Sequence, residues 1–66
     1  MPQNETIGDR ERKRALKSLK GQVERARKQK IDDADAYAKA KFSYRTGYPP
    51  KVVDEFYEIL LASKVL

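Results

Sequence analysis

The chain contains no cysteine, no histidine and no tryptophan, and only three glycines and three prolines among its 66 residues. Without cysteine there are no disulfides and no thiolate metal sites. Without histidine, the commonest general base and the commonest zinc ligand are both missing. No stretch approaches the ~20 apolar residues of a membrane span, and no signal-peptide hydrophobic region is present. These absences predict a cytoplasmic protein with no membrane contact, no cofactor and no metal. Enzymatic readings fail on the same inventory: there is no glycine-rich phosphate loop and no nucleophile beside an evident base, and a chain this short has little room for a water-excluding pocket.

Shortness carries a second consequence. A domain of this size buries only about 60% of the surface its unfolded chain exposes, so its stability is marginal. With neither disulfide nor metal available, oligomerisation or a bound partner becomes the expected source of additional stability.

Charge, by contrast, is abundant, at 38% of the residues. Lys and Arg number 15 against 10 Asp and Glu, a net charge of +5 and a pI near 9.6. The excess is confined to one half. Residues 1–30 hold ten cations against four acids, a balance of +6, whereas residues 31–66 hold five against six, a balance of −1. A cationic segment at 10–30 is therefore expected to meet an anionic partner, and a more apolar segment at 31–66 to fold as a helical hairpin.

The expected architecture is all-α: a small three-helix protein, one domain over 9–66 preceded by a flexible N-terminus at 1–8. From about 9 to 30 the residues are good helix formers interrupted only by Gly21, with Thr6 or Asp9 available as a cap. Leu16, Leu19, Val23 and Ala26 recur at helical spacing and form a narrow apolar seam. On a different arc lie Arg10, Lys13, Arg14, Lys17, Arg25 and Lys28, with Lys20 and Arg27 at its edge; Glu24 lies within it, placed to pair with Lys28. Asp32, Asp33 and Asp35 suit the first turn of a second helix, about 32–44, where the helix dipole favours negative charge. Neither Gly nor Pro occurs between Gln22 and Thr46, so a single continuous helix across both segments stays open. Ala36, Ala38, Ala40, Phe42 and Tyr44 alternate as a strand would, but alanine favours helix and disfavours strand.

Gly47, Pro49 and Pro50 mark a turn, with Gly47 suited to the left-handed position after a helix and Pro50 to the first position of a third, about 50–64. Val52, Val53, Phe56, Tyr57, Ile59, Leu60 and Leu61 cover roughly half of that helix's circumference. Packing on the second helix through Ile31, Ala34, Ala38 and Phe42 covers only part of so wide a face. The remainder must meet the seam of the first helix, a second copy of the chain, or another protein; the homodimer is the preferred expectation.

These patterns point to function in two ways. Many cations on one helical face bind phosphates through counterion release without needing a precise site. Arg10, Arg12, Lys13, Arg14, Lys17, Lys20, Arg25, Arg27 and Lys28 are the candidate nucleic-acid contacts, with DNA ahead of RNA, in an accessory or regulatory factor. Arg12, Arg14, Lys17, Arg25 and Lys28 head that set; about five neutralised phosphates imply a log K against log salt slope near −4.5. Gly21 on the same arc would permit close backbone approach. A membrane-surface helix is disfavoured, because the seam offers no aromatic to bury. A helix-turn-helix reading is disfavoured too, since it would place the acidic, apolar helix from Pro50 onto DNA.

The alternative function is a protein-interaction module, a small inhibitor or adaptor docking through Val52, Val53, Phe56, Tyr57, Leu60 and Leu61. The segment from Phe42 to Tyr48 mixes aromatics with Arg45, as single-strand or RNA contacts do. Its plainer reading is that Phe42, Tyr44 and Tyr48 plug the end of the helical hairpin. The three aspartates could in principle hold a hard cation such as Mg²⁺, but helix capping accounts for them more simply.

Overall fold

The apolar spacing that marks the first helix also fixes how the three helices meet. In the computed structural model, which describes residues 8–66, α1 runs Asp9–Lys28, α2 Ala34–Thr46 and α3 Pro50–Ala62, with no strand among the described residues. The three-helix, all-α expectation holds. Thr6 and all but Gly8 of the expected flexible end lie outside the described residues. The cap of α1 is Gly8, which offers no side-chain bond, and Asp9 sits in the first turn instead.

Each helix touches both of the others. The core draws Ala15, Leu19, Val23 and Ala26 from α1, Ala38 and Phe42 from α2, and Val53, Phe56 and Leu60 from α3. Leu19, Val23, Phe42 and Val53 are fully buried. Each large apolar side chain removed from water contributes about 1.5–3 kcal/mol. The seam differs from the expected one by a single position: Ala15 is buried, and Leu16 packs half-covered at its margin.

α1 and α2 are separate helices, which closes the question of continuity. The break occurs without Gly or Pro. The Lys30 N–H bonds to the Arg27 carbonyl at 3.0 Å and the Ile31 N–H to the Ala26 carbonyl at 3.2 Å. That pair of bonds is a Schellman motif, with Lys30 in the left-handed position at φ 58°. It turns Ile31 back onto the core, and the apolar contact outweighs the strain of a side chain in that region. α3 ends the same way: Lys64, at φ 59°, bonds to Leu61, and Val65 bonds to Leu60.

α2 begins at Ala34, later than expected, so the aspartate cluster does not act together as a first turn. Asp33 is the N-cap residue in a left-handed conformation (φ 50°) without a side-chain cap bond, and only Asp35 lies in the first turn. The other boundary follows expectation. Gly47 (φ 83°) ends α2 with its N–H on the Ser43 carbonyl at 2.9 Å, and Pro50 opens α3.

Tyr48, from the connection between α2 and α3, closes one end of the bundle. Its ring stacks on Phe42 with centroids 6.1 Å apart and meets Phe56 edge-on at 5.6 Å. Its hydroxyl donates to Glu11 of α1 at 3.1 Å, and burial pushes that hydroxyl's pKa upward. The plug expected of Phe42, Tyr44 and Tyr48 is thus made by two of the three. Tyr44 points into solvent, 90% exposed.

The breadth of the apolar face on α3 is resolved within one chain. Val53, Phe56 and Leu60 are buried against α1 and α2, and Val52 and Tyr57 are half-covered. Covering this face therefore does not require the second copy that the sequence pattern suggested. What α3 and its end leave exposed is Ile59, Leu61 and Val65.

Candidate functional site

The burial of one α1 stripe dictates what the opposite stripe does. With Ala15, Leu19, Val23 and Ala26 facing α2 and α3, the helical period turns Arg10, Lys13, Arg14, Lys17, Arg25 and Lys28 outward, and all six are exposed. None of the six takes part in an ion pair among the described residues. A 20-residue helix spreads such a row over about 30 Å, a length commensurate with several successive phosphates. Gly21 lies on the same outward face with open space around it.

Three of the nine nominated cations are placed differently. Arg27 forms a two-pronged pair with Asp35: Nε donates to Oδ1 at 2.7 Å and Nη2 to Oδ2 at 2.6 Å. Lys20 donates to Glu24 at 2.8 Å, so Glu24 pairs one turn back and not forward with Lys28. Arg12 falls on the seam side of α1 and is half-buried.

Arg27 belongs to a polar knot that ties all three helices. Asp35, at the start of α2, accepts from Arg27 of α1 and from the hydroxyl of Tyr57 on α3. Lys39 sits with its Nζ 4.5 Å from the Tyr57 ring centroid and 3.1 Å from Asp54. The Arg27 guanidinium holds the Asp35 carboxyl below its ordinary range, with the Tyr57 hydroxyl adding to the effect against the cost of burial. The same bond raises the pKa of Tyr57, and the pair raises that of Arg27. This arrangement orients side chains across the three helices and occupies three of the acceptor positions of Asp35. Asp35 is thereby diverted from any cation site, and no group of three Asp or Glu side chains gathers among the described residues.

Folding also brings α2 cations to the basic side, which the emphasis on residues 10–30 missed. Arg25, Gln22 and Gln29 of α1 and its end share a concavity of about 160 Å³ with Tyr37 and Lys41 of α2. Farther along, Glu11, Arg14 and Ser18 line a second hollow of about 320 Å³ with Phe42, Thr46 and Tyr48. Both hollows lie along the junction of α1 and α2. Lys41 and Arg45, four residues apart and both exposed, share a face of α2. Their spacing was legible, but only the antiparallel pairing of α1 and α2 sets Lys41 beside Arg25.

The interaction face nominated on α3 is divided. Val53, Phe56 and Leu60 lie in the core, Val52 and Tyr57 at its margin, and Leu61 alone of the six is exposed, at 37%. No described helix is long and apolar enough to cross a membrane. No protein family, curated protein or solved structure matches the chain.

Proposed function

We propose that this chain binds nucleic acid through the outward face of α1, as a small accessory or regulatory factor, with DNA the first candidate. One observation carries the reading: six exposed cations, Arg10, Lys13, Arg14, Lys17, Arg25 and Lys28, share one face with no ion pair among the described residues. Cations held apart on a rigid rod exchange the condensed counterions of a phosphate backbone for protein charge, and the released ions drive association. Recognition by this means is chiefly of the backbone, because an α1 face of Lys and Arg reads charge before base sequence.

If all six engage a duplex, the slope of log K against log salt approaches about −5.4; five contacts give about −4.5. The test is a fluorescence-anisotropy titration at several salt concentrations between ~50 and ~200 mM, a range over which such a slope is readily measured. An affinity that does not change with salt over that range refutes the proposal.

The reading as a protein-interaction module draws on less surface than the sequence suggested. Its motivating face is largely the chain's own core, leaving Ile59, Leu61 and Val65 for a partner.

A further inference from the structure

We propose that the exposed face of α2 bearing Tyr37, Lys41, Tyr44 and Arg45 is a stacking platform that gives the chain preference for single-stranded nucleic acid. The inference rests on the phosphate-binding reading of α1 and deepens it by naming the form of the ligand.

The four tyrosines divide into two pairs. Tyr48 and Tyr57 have rings packed in the fold and hydroxyls bonded to Glu11 and Asp35. Tyr37 and Tyr44 are 45% and 90% exposed and contribute nothing to the buried core. They stand seven residues apart, two helical turns, and so project from one side of α2 about 10 Å apart along its axis. Neither ring belongs to the core, and Tyr44 leaves most of its surface in water.

The surroundings of these rings supply the other half of a single-strand site. The Lys41 ammonium lies 5.8 Å from the Tyr37 ring centroid. Arg45 adjoins Tyr44 in sequence and follows Lys41 by one turn. Across the groove from Tyr37 and Lys41 stands Arg25 of α1. A backbone lying along this groove would meet cations from both walls, with one base at the Tyr37 ring in the groove wall and another at Tyr44, two turns on, where α2 turns toward the hollow it shares with Pro50 and Val53 of α3. A duplex cannot use the rings in this way, since its bases are already stacked and paired. A single strand offers a free π face at every nucleotide, and aromatic side chains interleaved with cations are how such strands are held.

The test uses the full chain with three probes of equal length: oligothymidylate, a duplex, and an abasic phosphodiester oligomer. Tyr37→Ala and Tyr44→Ala, both at exposed positions, should each weaken oligothymidylate binding by about tenfold. Neither should alter binding to the duplex or to the abasic oligomer. A Tyr37→Phe, Tyr44→Phe double variant should retain wild-type affinity, because stacking needs the ring and not the hydroxyl.

If both alanine variants bind oligothymidylate as the wild type does, while all three probes still show salt-dependent binding, the platform is refuted and the α1 reading stands. If no probe binds the wild type, both fall together. A mass measurement by light scattering accompanies the titrations. A wild-type dimer that Tyr44→Ala converts to monomer, with oligothymidylate affinity unchanged, assigns this face to self-association and overturns the proposal.

Discussion

Arg25 and Arg27 are separated by one residue and carry the same charge, yet their geometry gives them different work. Replacing each by alanine should therefore produce opposite phenotypes. Arg25 is exposed, lies in the α1–α2 groove and forms no ion pair among the described residues. Its loss should change folding stability by no more than about 0.5 kcal/mol, the usual range for a surface site without special contacts. Binding should suffer instead. The salt slope should become shallower by about 0.9, and affinity at ~0.1 M salt should drop by roughly tenfold.

Arg27 makes the two-pronged contact with Asp35, with side chains 44% and 27% exposed, respectively. Solvent screening at that exposure keeps the pair in the range of ~0.2–1 kcal/mol, and the bidentate geometry argues for the upper end. A cost of about 1 kcal/mol in a domain this small lowers the melting temperature by about 4–8 °C. The salt slope of Arg27→Ala should match the wild type, since that guanidinium is already neutralised by its partner. Thermal unfolding followed by circular dichroism and anisotropy titrations across salt measure the two quantities on the same samples. Arg25 and Arg27 share no partner, so the double variant should show both effects with little coupling. An Arg27→Ala protein that loses as much salt slope as Arg25→Ala while keeping its melting temperature would refute this division of labour.

Two further outcomes follow from the polar knot and from the break between α1 and α2. Because Asp35 is held below its ordinary value of 3.8 by Arg27 and Tyr57, with Lys39 also nearby, its stabilising contribution is present above that value. The contribution disappears as pH falls through the lowered folded value. Melting temperatures of the wild type and Asp35→Asn should therefore differ at neutral pH and converge in strong acid; a constant gap down to about pH 2 would contradict the assignment. Lys30 occupies the left-handed position of a Schellman motif at φ 58°, where glycine escapes the steric cost. Lys30→Gly should raise stability by up to about 1 kcal/mol, seen as a higher midpoint in urea, whereas the same exchange at Arg27 should lower it.

Legibility in the sequence followed the range of the interactions concerned. The α2–α3 turn was plain because Gly47 and Pro50 act through their own backbone geometry, without help from distant residues. The α1–α2 break was not, because Lys30 adopts a left-handed conformation only when Ile31 gains a core to pack against. The aspartate cluster suffered likewise. Helix capping is a local rule and proposes all three residues; a guanidinium eight positions away and a phenol on α3 select Asp35. Arg27 left the candidate contacts for the same reason, since no helical wheel of α1 contains Asp35. Lys41 and Tyr37 join the candidate surface because α2 is laid antiparallel against α1.

The sequence by itself determined the helical class, the turn between α2 and α3, the buried Leu19, Val23 and Ala26 of α1 and the outward row Arg10, Lys13, Arg14, Lys17, Arg25 and Lys28. Periodicity and charge are properties of a helix before it packs on anything. Only the tertiary structure decided how wide a face α3 has left to offer. An apolar stripe states how much surface must be covered but not by what; packing of α1 and α2 onto Val53, Phe56 and Leu60 supplied the cover within one chain. It likewise decided which charges are neutralised inside the fold and which tyrosines remain in water, because those outcomes depend on side chains from different helices meeting across the bundle.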